Sequence, residues 1–234
     1  MAGFKGWALI VVDMQNDFLA KQGYYARRIK YEHQVRQGRL TSADLANHLA
    51  CPSPAPTGGF EPRAAYLKPM IHNICQVIAR SKELRMPIAY LQAVYDHQFP
   101  LKPRFLLENA DRKHYPCQPN TWGADFIDPI GELIPSQKAQ SREKVIKKHT
   151  FNGFFKTGLC EFLRTWDIHT VLIAGVETHI CVLATAQGAS YNQFKAVILK
   201  DCVATAREYR ANYALNIFRD GFGVTKRSSE IFCV

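Results

Sequence analysis

Apolar residues along the chain alternate between short continuous runs and stripes with helical spacing. The first run, Gly6 to Val12, predicts a buried strand that ends at Asp13. Later runs predict strands within residues 88–94, 144–147, 171–174 and 196–199, and a short last one at 223–225. Helical spacing predicts helices that begin near Pro69, Thr157, Cys181 and Arg207. Strands that alternate with helices predict an α/β fold, in which a doubly wound parallel sheet is covered by helices on both faces.

Two segments depart from this alternation. Residues 21–62 are first basic and polar and then rich in proline and glycine, with one or two short helices predicted between Tyr31 and Leu49. Too few apolar residues occur there for a separate core, so we expect one domain over residues 1–234 with an insertion or excursion at about 21–62. The region from about Tyr95 to Ser141 predicts a long loop, and loops of that length are often functional.

The composition narrows the class of protein. Hydrophobic residues make up 47% of the chain and charged residues 21%, which predicts a packed core. The seven cysteines are odd in number, irregularly spaced and without a CxxC pair. This pattern argues against a disulfide framework or a zinc ribbon and for a reducing compartment. No signal-peptide pattern and no run of membrane-spanning length is visible, so we expect a cytoplasmic protein.

The formal charge of +10 raises the question of an anionic partner. Nucleic acid or an anionic substrate would explain it, and so would lysines and arginines scattered over the surface. The densest basic stretch, residues 142–148, also contains Glu143, and no aromatic residues alternate with its basic ones. We therefore expect neither a nucleic-acid partner nor a membrane partner.

Cys181 lies where a strand gives way to a helix. The apolar run 169–174 breaks at Gly175, and helix-forming residues resume near Ile180, so the cysteine is predicted in the first turn of a helix. Free backbone N–H groups and the positive end of the helix dipole favour a thiolate there, and the same groups could receive an oxyanion. The alternative is a small buried hydrophobic residue, which is what most free cysteines are.

Three reactive residues are predicted at one edge of the sheet, beyond the carboxyl ends of the strands, where such sheets bind ligands. Asp13 ends the first strand, Lys148 ends the third, and Cys181 opens the helix after the fourth. Asp13 could take the thiol proton, while Lys148 could keep Asp13 ionised and lower the pKa of the thiol. Each residue alone has a simpler interpretation, but their convergence favours a catalytic set.

Three motifs make the chain recognisable. VVDMQNDFL (residues 11–19), KHTFNGFFKTGL (148–159) and GVETHICVLATAQGA (175–189) occur in that order. Together they resemble the isochorismatase-like superfamily of cysteine hydrolases, which includes nicotinamidases, N-carbamoylsarcosine amidases, biuret hydrolases and ureidoacrylate amidohydrolases. The resemblance covers most of the chain outside residues 21–62.

The resemblance implies a flavodoxin-like fold, usually assembled as a homodimer or homotetramer. It also implies that Asp13, Lys148 and Cys181 form a catalytic triad. A cis peptide bond is implied between Val176 and Glu177, and the backbone amides of Glu177 and Cys181 would form the oxyanion hole.

Departures from the family patterns bear on the chemistry. Nicotinamidases carry an Asp-x-His…His metal set after the second strand, whereas Asp96 and His97 are adjacent here and lack a second histidine at ligand spacing. We therefore expect no catalytic metal and no cofactor. True isochorismatases lack the nucleophilic cysteine, so Cys181 indicates cleavage of a C–N bond. The segment NTWGADFIDPI (residues 120–130) is most similar to the ureidoacrylate and N-carbamoyl amidohydrolases.

The resulting hypothesis is a metal-independent amidohydrolase that cleaves a small amide or ureido substrate through a cysteine acyl-enzyme. A metal-dependent nicotinamidase and a non-catalytic binding or scaffold protein are the alternatives. Core packing is the competing interpretation for Phe18 and Phe154. It applies less to Tyr95 and Trp122, because these two lie in the long loop. The predicted substrate-binding residues are Asn16, Phe18, Gln92, Tyr95, Trp122 and Phe154.

Overall fold

The computed structural model describes residues 3–49, 53, 60–96, 98, 115–135 and 141–232. Its centre is a six-stranded sheet in which all paired neighbours are parallel, with the order β3-β2-β1-β4-β5-β6. The strands are β1 (Trp7–Val12), β2 (Ile88–Ala93), β3 (Glu143–Lys148), β4 (Thr170–Val176), β5 (Lys195–Ala204) and β6 (Gly223–Lys226). The predicted doubly wound, flavodoxin-like α/β fold is confirmed.

Helices pack on both faces of this sheet. The α-helices are α1 (Asn16–Leu19), α2 (Tyr24–Arg36), α3 (Ser42–His48), α4 (Leu67–Glu83), α5 (Asp128–Gly131), α6 (Leu159–Thr165), α7 (Leu183–Tyr191), α8 (Glu208–Gly221) and α9 (Ser228–Phe232). A 3₁₀ turn spans Trp122–Ala124, and a π turn spans Thr178–Val182 directly before α7.

Alternate residues of β1 supply two hydrophobic cores. Leu9 and Val11 belong to the core on the side of α4, whereas Ala8, Ile10 and Val12 belong to the core on the side of α6 and α7. This division follows from the twofold period of a strand, which sends successive side chains to opposite faces. Because both faces are covered, the strand reads as one continuous apolar run in the sequence.

The apolar stripe that predicts α4 is the face that the helix buries. Met70, Ile71, Ile74, Val77 and Ile78 are all buried against the sheet. Their spacing of three and four residues puts them on one side of the helix. Complete burial of each such side chain is worth roughly 1.5–3 kcal/mol, so this face alone fixes α4 against the sheet.

Some elements differ from their predicted extents. Strand β5 runs to Ala204, beyond the predicted end at Leu199, and its register with β4 shifts between Ile173 and Gly175. Helix α9 was not predicted, because its five residues are too few to show a helical period. Helix α2 begins at Tyr24, before the predicted helical region that starts at Tyr31.

The ends of the segment 21–62 lie side by side. Ala20 and Pro62 form an isolated antiparallel bridge, and the Lys21 N–H donates to the Glu61 carbonyl at 2.9 Å. The chain therefore leaves the fold after α1, forms α2 and α3, and returns to its point of departure before α4. Among the described residues, no helix is long and apolar enough to cross a membrane.

Candidate active site

Asp13 and Lys148 form a buried ion pair at the carboxyl edge of the sheet. Lys148 Nζ lies 2.8 Å from Asp13 Oδ2, and the side chains are 0% and 1% exposed. Strand β2 lies between β1 and β3, so the lysine side chain reaches across it. The Lys148 ammonium also donates to the Thr150 carbonyl at 3.1 Å, which fixes its direction. Two opposite charges removed from water in this way interact strongly, because little solvent screens them.

The neighbouring lysine points away from this pair. Lys147 is exposed, while Lys148 is fully buried. Successive residues of a strand face opposite sides, so only one of the two lysines can reach Asp13. Lys148 therefore faces Asp13, and Lys147 does not.

Cys181 lies beside the ion pair. Its thiol interacts electrostatically with both the Asp13 carboxylate and the Lys148 ammonium. The cysteine is the fourth residue of the π turn Thr178–Val182 and precedes α7, so the predicted position in the first turn of an α-helix is corrected to this wider turn. Cys181 is 4% exposed, whereas Asp13 and Lys148 are at 0%. All three residues are therefore buried at this edge of the sheet.

Two glycines allow the catalytic segments to approach one another. Gly175 has a φ of +121°, and a Cβ there would lie 2.1 Å from the carbonyl oxygen of Val12, the residue before Asp13. A Cβ on Gly153 would lie 2.4 Å from the Leu91 side chain. The Gly153 N–H donates to the Thr185 hydroxyl of α7 at 3.0 Å, which ties the segment after Lys148 to the helix after Cys181.

The charges of the three groups are coupled. Burial raises the pKa of the Cys181 thiol; the Lys148 ammonium lowers it and the Asp13 carboxylate raises it, and the net direction is upward. Burial likewise raises the pKa of Asp13 against the opposing effect of Lys148. Burial lowers the pKa of Lys148, but the charges of Asp13 and Cys181 outweigh it and raise the pKa. Lys148 thus acts on the thiol in the predicted direction, but burial acts in the opposite direction and is the larger effect.

Glu177 follows a cis peptide bond and carries a fully engaged side chain. The bond between Val176 and Glu177 is cis, as predicted. Glu177 Oε1 accepts a hydrogen bond from Arg63 at 2.8 Å, and Oε2 accepts from the Thr205 hydroxyl and, at 3.3 Å, from the Ala206 N–H. Because the carboxylate is held by partners from separate chain segments, its backbone is fixed beside the thiol.

The two predicted amide-bearing residues hold the 3₁₀ turn against the sheet. Asn16 donates to the Trp122 carbonyl at 2.9 Å, and Gln92 donates to the Ala124 carbonyl at 2.9 Å. Gln15, which was not predicted as a site residue, donates to the Ala124 carbonyl at 2.7 Å and exchanges two hydrogen bonds with Ala93. These amides bind the loop to the strand ends that carry the triad, and their role toward substrate stays a prediction.

The four predicted aromatic residues lie in different surroundings. Tyr95 is 2% exposed, and the charges of Cys181 and Asp13 both act on its hydroxyl, so it lies beside the triad. Phe18 is buried, while Trp122 is partly buried in the 3₁₀ turn. Phe154 packs against Phe194 at 5.8 Å within the core on the α7 side, which agrees with the core-packing alternative for that residue.

Two further residues lie near the thiol without a signal in the sequence. Tyr25, from α2, packs against Phe18 at 5.3 Å, and burial together with the charges of Glu177 and Cys181 raises the pKa of its hydroxyl. Cys117 is buried, and its N–H donates to Asp17 at 2.7 Å. Burial and the charges of Asp17 and Asp13 raise the pKa of its thiol. Both residues come from segments without strands, where periodicity gives no guide.

The described residues around this edge of the sheet form no cluster of metal ligands. No three His, Cys, Asp or Glu side chains of the described ranges come close enough together to hold an ion. Asp96 lies in the loop after β2, and His97 lies outside the described residues. The absence of a catalytic metal therefore stays a prediction.

Known proteins that are similar to this chain in sequence or fold include several hydrolases. The chain is 26% identical over 212 residues to the ureidoacrylate amidohydrolase RutB of Pantoea ananatis (strain LMG 20103), which covers 85% of this chain and 69% of that protein. Its fold is similar to a pyrazinamidase/nicotinamidase from Streptococcus mutans UA159, with a TM-score of 0.68, 20% identity, and coverage of 93% and 99% of the two chains.

A second solved structure shares the fold over nearly the whole length. It is an isochorismatase-like hydrolase from Alkaliphilus metalliredigens, with a TM-score of 0.64, 20% identity and 97% coverage of both chains. The isochorismatase domain family matches residues 7–230, which include every strand of the sheet and all three predicted catalytic residues. The prediction of a hydrolase with this fold is confirmed, and the chain belongs to the isochorismatase family.

Proposed function

We propose that the protein is a metal-independent amidohydrolase that cleaves a C–N bond of a small amide or ureido substrate through a Cys181 acyl-enzyme. The observation that carries this proposal is the buried pair of Asp13 and Lys148, 2.8 Å apart, within reach of the Cys181 thiol. A nucleophile, a base and a fixed cation at the carboxyl edge of a parallel sheet are the parts that amide cleavage needs.

The balance of charges in the site indicates that the resting Cys181 thiol keeps its proton. One ammonium and one carboxylate neutralise each other, so a thiolate beside them would add an uncompensated negative charge to a buried site. The raised pKa of Cys181 expresses that cost. The thiol therefore remains protonated at rest and gives its proton to Asp13 only as sulfur attacks the carbonyl carbon.

The reaction then follows in two halves. The Cys181 sulfur bonds to the carbonyl carbon, the carbonyl electron pair moves to oxygen, and the thiol proton passes to Asp13. The C–N bond breaks as Asp13 returns that proton to the leaving nitrogen, which departs as ammonia or an amine. Water then attacks the thioester, gives a proton to Asp13, and releases the acid, after which the proton returns to sulfur.

The oxyanion of each tetrahedral intermediate needs hydrogen-bond donors. We assign this role to the backbone amides of Glu177 and Cys181, which the family resemblance implies. The first follows the cis peptide bond, and the second belongs to the π turn that bears the nucleophile. Loss of one such donor in other hydrolases costs on the order of 10²–10³ in rate.

The substrate class rests on the relative of known activity. The similarity to a ureidoacrylate amidohydrolase favours a ureido or N-carbamoyl compound over other amides. We propose that Tyr95, Phe18 and Trp122 flank the substrate and that Asn16 and Gln92 shape its pocket by fixing the 3₁₀ turn. A homodimer or homotetramer in the cytoplasm stays a prediction.

The decisive experiment screens N-carbamoyl compounds, ureas, simple amides and nicotinamide for ammonia release by the wild-type protein and Cys181→Ala. We expect release from a ureido compound and a loss of at least 10³-fold in Cys181→Ala, with an unchanged circular dichroism spectrum. Trapping of a covalent adduct on Cys181 by intact-mass spectrometry identifies the acyl-enzyme.

The alternatives give different results in the same screen. Preference for nicotinamide with dependence on added metal would support the nicotinamidase. No release from any compound, together with an inert Cys181, would support the non-catalytic alternative. A Cys181→Ala variant that keeps more than a tenth of wild-type activity would contradict the nucleophile assignment.

A further inference from the structure

Arg63, the residue directly after the segment 21–62, has a buried side chain. The Arg63 N–H donates to the Leu19 carbonyl at 2.7 Å, directly after the bridge between Ala20 and Pro62. Leu19 ends α1, the short helix that follows Asp13 along the chain. The position of Arg63 is thus set by the same turn that leaves the catalytic strand β1.

The Arg63 side chain forms a buried ion pair with Glu177. Its Nη2 lies 2.8 Å from Glu177 Oε1, and the side chains are only 3% and 6% exposed. The other carboxylate oxygen of Glu177 accepts hydrogen bonds from the Thr205 hydroxyl and the Ala206 N–H, which follow β5. Glu177 is therefore fastened between the end of the excursion and the end of β5.

We propose that Arg63 is a positioning residue for the oxyanion hole, which it orients through the Glu177 side chain. This inference rests on the proposed function, because it assumes that the Glu177 amide receives the oxyanion. A carboxylate whose two oxygens are both bound restrains the Cα of its residue, and the Glu177 nitrogen is bonded to that Cα and moves with it. Arg63 thereby links the chain that follows Pro62 to the residue whose amide would receive the oxyanion.

Burial explains why one contact can control this geometry. A buried carboxylate that loses its cation must find another partner, bind a proton or move toward water. Each of these changes shifts the Glu177 backbone, and displacements near 1 Å at a catalytic group can cost about 10²-fold in rate. The thiol and its base are held by other contacts, so they should be affected much less.

The test compares two reactions of Cys181 in the full-length protein. Acylation by 4-nitrophenyl acetate passes through an oxyanion, whereas alkylation by iodoacetamide displaces iodide and forms none. We expect Arg63→Met to slow acylation at least tenfold while alkylation stays within threefold of wild type. Arg63→Lys, which keeps the charge with fewer donors, should recover part of the acylation rate.

The exposed ion pair between Lys21 and Glu61, near the ends of the segment 21–62, provides a matched control. Lys21 and Glu61 lie 3.0 Å apart but are 62% and 58% exposed. Lys21→Met should leave both reactions unchanged, because exposed pairs contribute little. If Arg63→Met does not fold, the double variant Arg63→Met/Glu177→Gln removes both buried charges and should show the same selective loss of acylation.

Each outcome decides the proposal. Unchanged acylation in the Arg63 variants, or equal losses in both reactions, would overturn the positioning role. If the wild-type protein shows no acylation but alkylates at Cys181, the acyl-enzyme itself fails, and the positioning role fails with it. If wild type acylates and only the Arg63 prediction fails, the proposed function stands without this inference.

Discussion

The substitution Lys148→Met offers the sharpest test of the site, because it breaks the ion pair beside the Cys181 thiol. The substitution keeps most of the side-chain volume and removes the ammonium that lies 2.8 Å from Asp13. Two effects on the Cys181 thiol then compete. Loss of the cation raises the pKa of the thiol, while protonation of the abandoned Asp13 removes a neighbouring negative charge and lowers it. The charge of Lys148 acts on the thiol more strongly than the charge of Asp13 does, so we expect the pKa of the thiol to rise.

The structure also sets the scale of the change. Unit charges about 4 Å apart interact by roughly 4 kcal/mol at an effective dielectric constant of about 20. Removal of one partner from a buried pair typically costs about 3–5 kcal/mol of stability. Asp13 can reduce that cost by binding a proton, since burial already raises its pKa. A protonated Asp13 cannot act as the base, so turnover should fall by about 10²–10⁴.

The assay is the rate of Cys181 alkylation by iodoacetamide as a function of pH. We expect Lys148→Met to slow alkylation at pH 8 at least tenfold and to move its pH dependence upward. Lys147→Met is the control, because that side chain is exposed and should leave the rate within twofold. Equal effects of the two substitutions, or faster alkylation of Lys148→Met, would refute the assigned charge coupling.

Two further predictions follow from the site. Burial raises the pKa of Cys181 above its ordinary value of 9.0, so its thiolate fraction at a given pH is smaller than that of an ordinary thiol. The rate of wild-type alkylation should therefore keep rising beyond pH 9. A rate that reaches a plateau below pH 7 would contradict this direction of the pKa shift. Dialysis against EDTA should leave hydrolysis of a confirmed substrate unchanged, because no described cluster of metal ligands adjoins the triad; activity lost on chelation and restored by zinc, iron or manganese would favour the metal-dependent alternative.

Much of the sheet could be predicted from local pattern. A strand buried on both faces must be apolar throughout, so β1 and β4 are visible in the sequence as uninterrupted runs. Parallel strands all end at the same edge of the sheet, so residues at the strand ends, such as Asp13 and Lys148, could be placed together without knowledge of the strand order. The alternation of strand residues then separates Lys148 from Lys147.

Features that depend on distant partners could not be predicted in this way. Arg63 is one of many basic residues in the sequence, and nothing near it distinguishes a buried guanidinium from a solvated one. Its partner Glu177 is 114 positions away, and their contact depends on the closure of a segment without hydrophobic periodicity. The same holds for Tyr25, which packs on Phe18 only because α2 lies beside α1.

The protonation state of Cys181 shows a different kind of limit. Its place in the sequence indicates a turn and a nearby cation, and both favour a thiolate. The depth of burial has the opposite effect and is larger, and no local pattern records it. A buried site with one cation can hold one anion at low cost, and Asp13 already supplies that anion. The nucleophile must therefore be generated during attack, which makes the geometry of proton transfer to Asp13 as important as the charge of Lys148.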